Sequence, residues 1–133
     1  MANMQAVFYR QSDGIEPVDD HIAGLLVAHQ AAIDGQIDWL NRVTPDDPPL
    51  SFPHSSQVRG SLRELRCHYG NVWYRILYQR SDKLFILLHL VRKDRGALLA
   101  ADIIVAQERL NDFKARMNAT SRQPPRVVGH DAP

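Results

Sequence analysis

Arg66 and Arg75 lie in the stretch GSLRELRCHYGNVWYRILYQR, which runs from Gly60 to Arg80. Read as a β-hairpin with a two-residue loop at Gly70-Asn71, the stretch pairs Tyr69 with Val72, Cys67 with Tyr74 and Leu65 with Ile76 on an apolar face. The opposite face then sets Glu64 against Leu77, Arg66 against Arg75 and His68 against Trp73. Like charges directly opposite each other are unfavourable in a sheet. A phosphodiester would relieve the repulsion through charge-assisted hydrogen bonds, and Trp73 and His68 offer stacking surface to an unpaired base. Alternatively, Glu64 lies diagonally near Arg75 and neutralises it, leaving a merely solvated face. The pattern of residues leaves both readings open.

The elements that must hold these residues follow from periodicity. Residues 5–10, QAVFYR, read as a short strand, closed by the turn signal Ser12-Asp13-Gly14. Pro17, with Asp19 and Asp20 behind it, suits a helix start, and Ile22, Leu25, Leu26, His29, Ile33, Ile37 and Leu40 follow at helical spacing. This predicts one long helix or two in tandem, divided at Gly35 or near Gln30. The segment from Thr44 to Gly60 carries four prolines, is expected to be a loop, and contains His54. LRELRCHY, VWYRILYQ and KLFILLHLV have period two and predict an antiparallel meander. DIIVAQERLNDFKARM, from Asp102 to Met117, predicts a closing helix with Ile103, Ala106, Leu110, Phe113 and Met117 as its apolar stripe. The expected fold is α+β in the order β-α-α-β-β-β-α, an antiparallel sheet with the helices packed on its apolar face.

Length and composition bound the function. A chain of 133 residues with 44% hydrophobic content makes one domain, expected over residues 1–117. The segment 118–133, NATSRQPPRVVGHDAP, has no periodicity and few large apolar groups, and is expected to be a flexible tail or to order on a partner. Cys67, the only cysteine, has no partner for an intramolecular disulfide, and the polar start lacks a signal-peptide core, so the cytoplasm is expected. No apolar run approaches the ~20 residues of a membrane span. Sixteen Lys and Arg against fifteen Asp and Glu give a formal charge of +1, so the placement of charge matters more than its sum. No group of His, Cys, Asp or Glu has metal-ligand spacing, and no metal or other cofactor is expected.

The element order, with the successive stretches PHSSQVRGSLRELR, WYRILY and ILLHLVRKDR and an Ala-containing helix, resembles the RelE/ParE superfamily, specifically the HigB-like, phage-derived branch of type II toxins. The resemblance runs from about Val7 to Phe113 and is densest from Pro53 to Tyr78. It implies a small RelE-like domain and a ribosome-dependent endoribonuclease that cuts mRNA. It also implies silencing by a cognate antitoxin of helix-turn-helix type, with operator DNA reached only through that antitoxin and no membrane involved.

Cleavage of RNA without a metal requires activation of the ribose 2′-OH, stabilisation of charge on the phosphorane and protonation of the leaving 5′ oxygen. Arg66 and Arg75 match the family's strand arginines and suit charge stabilisation, because a guanidinium stays protonated. His54 is the most natural proton carrier, since imidazole titrates near neutral pH; otherwise it is a loop histidine capped by Ser55 or Ser56. His68 and Trp73 are expected to contact RNA, and His89 to be a packed core residue. Arg92, Lys93 and Arg95 fall where the resemblance implies a basic pair that holds phosphate or donates a proton, with Lys93 the closest match. Where many relatives show a Thr-Pro helix cap this chain has Gly96-Ala97-Leu98-Leu99, and it lacks the C-terminal tyrosine of some relatives. The same scaffold also carries ParE-like inhibitors of DNA gyrase, and a catalytically inactive antitoxin-binding protein is the third possibility.

Overall fold

The computed structural model describes residues 2–119, 121 and 124–132. Its elements are β1 (Gln5–Phe8), α1 (Pro17–Ala23), α2 (Val27–Leu40), β2 (Ser55–Arg59), β3 (Leu62–Tyr69), β4 (Val72–Ser81), β5 (Leu84–Arg92) and α3 (Ala100–Met117). The fold is α+β, as the sequence predicts. One sheet has the order β1-β5-β4-β3-β2. Only the β1–β5 pair is parallel. Among the described residues no helix is long and apolar enough to cross a membrane.

The helical segment is two helices in tandem, divided at neither Gly35 nor Gln30. Pro17 opens α1, and Gly24 ends it by donating its N–H to carbonyls of the last turn, including Asp20 and His21. Leu26 is then extended (φ −59°, ψ 145°) and starts α2. The expected loop from Thr44 to Gly60 also needs correction. Its four prolines occupy only the part before His54, and Ser55–Arg59 pairs antiparallel with β3 as an edge strand.

The β3–β4 hairpin has the register read from the sequence, including Arg66 opposite Arg75 and His68 opposite Trp73. Gly70 supplies the left-handed backbone that its tight turn requires (φ 57°).

The helices do not all lie on one face. Ile22, Ile33, Ile37 and Leu40 of α1 and α2 pack with Leu65, Cys67, Ile76 and Leu87. Ala106, Leu110 and Phe113 of α3 pack with Leu62, Leu77, Ile86 and Leu88 on the other face. Covering both faces explains why β4 and β5 are apolar at odd and even positions alike. It also means that the face carrying Arg66 and Arg75 is roofed by α3 and the loop before it.

Within the segment expected to be a flexible tail or to order on a partner, residues 127–129 lie along β1. Val127 and Val128 are buried, Tyr9 and Val128 form an antiparallel bridge, and the Gly129 N–H donates to the Phe8 carbonyl at 2.6 Å. The edge of β1 supplies the partner that the segment's own composition does not.

Candidate functional site

The polar face of the meander is built in cross-strand rows. Glu64 lies opposite Leu77 and Leu77 opposite His89; Arg66 lies opposite Arg75 and Arg75 opposite Val91; His68 lies opposite Trp73. The Lys93 N–H donates to the Trp73 carbonyl at 3.1 Å, which extends the third row just beyond β5.

The middle row answers the question of the paired arginines. Arg75 is 5% exposed, and its Nη1 donates to the Gly96 carbonyl at 2.7 Å. The same nitrogen is 3.5 Å from Glu64 Oε2, while Glu64 Oε1 accepts a hydrogen bond from Ser56 Oγ at 3.0 Å. The like-charge repulsion is therefore relieved from within the fold, by the diagonal carboxylate. The face there is buried and not solvated, because the Gly96 turn closes over it.

Arg66 stays nearer the surface. Its guanidinium lies 5.2 Å from the Phe52 ring centroid and 5.7 Å from that of Trp73. Trp73 is also stacked with His68, with centroids 4.3 Å apart and planes inclined by 24°. Arg66, Arg75, Glu64, Arg95 and Asp94 line a cavity of about 500 Å³ between the sheet and the loop that leads into α3. A cavity with three guanidinium groups and two carboxylates, flanked by stacked rings, has the chemistry to hold a phosphate next to a base.

Not every expected residue joins this cluster. The His54 ring stacks on Trp39 of α2 at 4.8 Å, and its Nδ1 is 3.4 Å from Gln36 Oε1. Its backbone carbonyl accepts the Arg66 N–H at 2.9 Å, so the main chain adjoins the site while the ring is drawn to the helix. Arg92 pairs with Tyr74, which packs toward α1 and α2, and so projects from the opposite face to Arg66. Glu64, Ser56 and Phe52 were not singled out as site residues by the sequence. The period-two pattern put Glu64 on the correct face, but nothing in the proline-rich segment marked Phe52.

His89 reaches the α3 side through a bulge at Leu77/Tyr78. Its Nε2 is 2.9 Å from Asp102 Oδ1, and its Nδ1 is 3.2 Å from Arg109 Nη1. A guanidinium only donates, so Nδ1 accepts and Nε2–H donates to Asp102. Both ring nitrogens are occupied, and this pair fastens α3 to β5.

The only cation-type cluster among the described residues is Glu16, Asp19 and His130, whose ligand atoms lie within 4.8 Å of one another. Arg10 takes Glu16 Oε2 at 2.8 Å and His130 Nδ1 meets Glu16 Oε1 at 3.0 Å, so the cluster works as an ion-pair network. Its members are distant in sequence, which hid the cluster from a reading of spacing.

A family model described as Phage derived protein Gp49-like (DUF891) matches residues 20–111, a span that includes α2, the whole meander and the first two thirds of α3. No curated protein matches the chain.

Proposed function

The chain belongs to the Gp49-like phage-derived family, which is associated with toxins of the RelE/ParE type from toxin–antitoxin systems, and on that footing we propose that it cleaves mRNA on the ribosome without a metal. The observation that carries this reading is the Arg66 guanidinium, set between the Phe52 and Trp73 rings at a cavity whose wall holds the Glu64–Arg75 pair.

In this scheme Arg66 and Arg95 bind the scissile phosphate, and the adjoining base stacks on Trp73, backed by His68. Glu64, oriented by Ser56 and Arg75, accepts the proton of the 2′-OH as that oxygen attacks phosphorus. The bond to the 5′ oxygen breaks, and Lys93 protonates the leaving oxygen. The products are a 2′,3′-cyclic phosphate and a 5′-hydroxyl. Arg66 and Arg75 stabilise the charge that develops between these steps. His54, with its ring on Trp39, transfers no proton here. The expected partners are mRNA in the ribosomal decoding site and a helix-turn-helix antitoxin, through which operator DNA is reached.

Induced expression followed by mapping of mRNA ends tests the reading. Cuts within translated regions that carry 5′-hydroxyl ends are expected, and purified ribosomal complexes should reproduce them with protein freed of bound metal by chelator and dialysis beforehand. Intact mRNA accompanied by double-strand breaks in DNA would overturn it in favour of gyrase inhibition.

A further inference from the structure

A second set of planar and cationic groups lies beside the first. The Arg42 guanidinium is 5.2 Å from the Trp39 ring centroid, and the other partner of Trp39 is the His54 ring at 4.8 Å and 29°. Trp39 is 39% exposed, whereas Ile33, Ile37 and Leu40 of the same helix are buried. Phe52, 68% exposed, sits two residues before His54 in the same turn, where the His54 and Ser55 N–H groups both donate to the Ser51 carbonyl. One turn thus directs Phe52 toward Arg66 and His54 toward Trp39. The resulting order is His68, Trp73, Arg66, Phe52, then His54, Trp39 and Arg42, passing around the β2 edge of the sheet.

Exposed and half-buried rings interspersed with guanidinium groups suit a strand that has both stackable bases and a charged backbone. An acidic peptide would use the cations but leave the exposed rings in water. A duplex would hide its base faces. We propose that single-stranded RNA bound at Arg66 continues across Phe52 onto a second stacking subsite formed by His54, Trp39 and Arg42. This rests on the RNA reading above, and it gives His54 a binding role.

Trp39 and Trp73 are the only tryptophans, one on each platform. Trp73→Phe leaves Trp39 as the single indole reporter, and Trp39→Phe leaves Trp73. The probe is a 2′-O-methyl oligouridylate of about twelve nucleotides, long enough for both platforms and resistant to cleavage. The oligomer is expected to quench both indoles, whereas a 2′-O-methyl uridine dinucleotide, too short to reach the second platform, should quench Trp73 alone. His54→Ala should weaken the oligomer about ten-fold, the scale of one lost stack, and leave the dinucleotide unchanged. Quenching of Trp73 with Trp39 unaffected at saturation would overturn the second subsite while leaving the RNA reading intact. No quenching at either indole would overturn both. Equal quenching of Trp39 by polyglutamate would overturn the assignment to RNA, since that polymer has no bases.

Discussion

Glu64 Oε2 lies 3.5 Å from Arg75 Nη1, with both side chains more than nine-tenths buried. This pair turns two facing arginines from a liability into a fixed part of the site, because one of the two charges is balanced inside the fold. Removing the guanidinium alone leaves the carboxylate buried without its counter-charge and the Gly96 carbonyl without its donor. Arg75→Ala is expected to cost about 3–5 kcal/mol of stability, the scale for breaking one side of a buried ion pair. The double variant Arg75→Ala, Glu64→Gln should recover part of that loss. Urea unfolding of the three proteins checks both statements, and a single variant as stable as the parent would refute the pairing.

Arg66 differs from Arg75 in what holds it. Its guanidinium rests on two rings and not on a carboxylate. Arg66→Ala should therefore leave the unfolding midpoint nearly unchanged and reduce cleavage by ~10²–10³-fold, as for loss of one preorganised stabilising group. Arg66→Lys should recover only part of the rate, because an ammonium keeps the charge but loses the planar stack. Single-turnover rates on ribosomal complexes separate the variants.

The hairpin was legible because a two-residue turn admits one register, and alternation then assigns every side chain to a face. The covering of that face by α3 was legible only as the apolar residues at both parities in β4 and β5, where Leu77 follows Ile76 and Ile86 and Leu88 flank Leu87. β2 was hidden because SSQVR has a single large apolar residue and follows prolines. The His54 ring direction depends on Trp39, and the docking of Val128 depends on Tyr9. Such contacts between distant elements leave no trace in local spacing.

Glu64 and His54 divide the work differently in the proposed scheme from what residue chemistry alone suggests. Glu64→Gln keeps the acceptor for Ser56 but removes both the base and the counter-charge of Arg75, and should lower kcat by ~10²–10⁴-fold in protein that urea unfolding shows to be folded. His54→Ala should raise KM and leave kcat close to the parent value, since its ring is held by Trp39 and Gln36 of α2. A large fall in kcat for His54→Ala would return the proton to the imidazole.

Cys67 is fully buried, and burial pushes its thiol up to about 12. The thiolate is the reactive form, so alkylation in native conditions should be slow at neutral pH and proceed only through opening of the core. Labelling rates that rise in step with urea-induced unfolding are expected. Rapid labelling of the native protein would contradict the packing of β3 against α2.

The C-terminal segment is tied down by a contact whose pH dependence can be worked out in sign. The hydrogen bond with Glu16 and then the Glu16 and Asp19 charges raise His130 above its ordinary value of 6.5. A raised base stabilises the docked state fully below about pH 6.5, and that contribution is lost as pH climbs through the raised value. Burial pushes the Glu16 carboxyl upward, but hydrogen bonds from Arg10 and His130 outweigh it and leave the group below its ordinary 4.5. Its contribution is present above 4.5 and lost as pH falls through the depressed value. Asp19 and Asp131, both raised chiefly by burial, oppose docking as they ionise on leaving the acid range. The ion pair is thus complete between about pH 4.5 and 6.5 and weakens toward alkaline pH. Exchange of the Gly129 amide, which donates to Phe8, should quicken above that window once corrected for intrinsic rates, and His130→Ala should flatten the dependence. Gly129→Ala should weaken docking and flatten its pH dependence, because an added Cβ would displace the Glu16 carboxyl from His130 and press on Phe8 Cβ at 3.1 Å. Protection of that amide unaltered by His130→Ala across the window would show that Val127 and Val128 hold the segment without the ion pair.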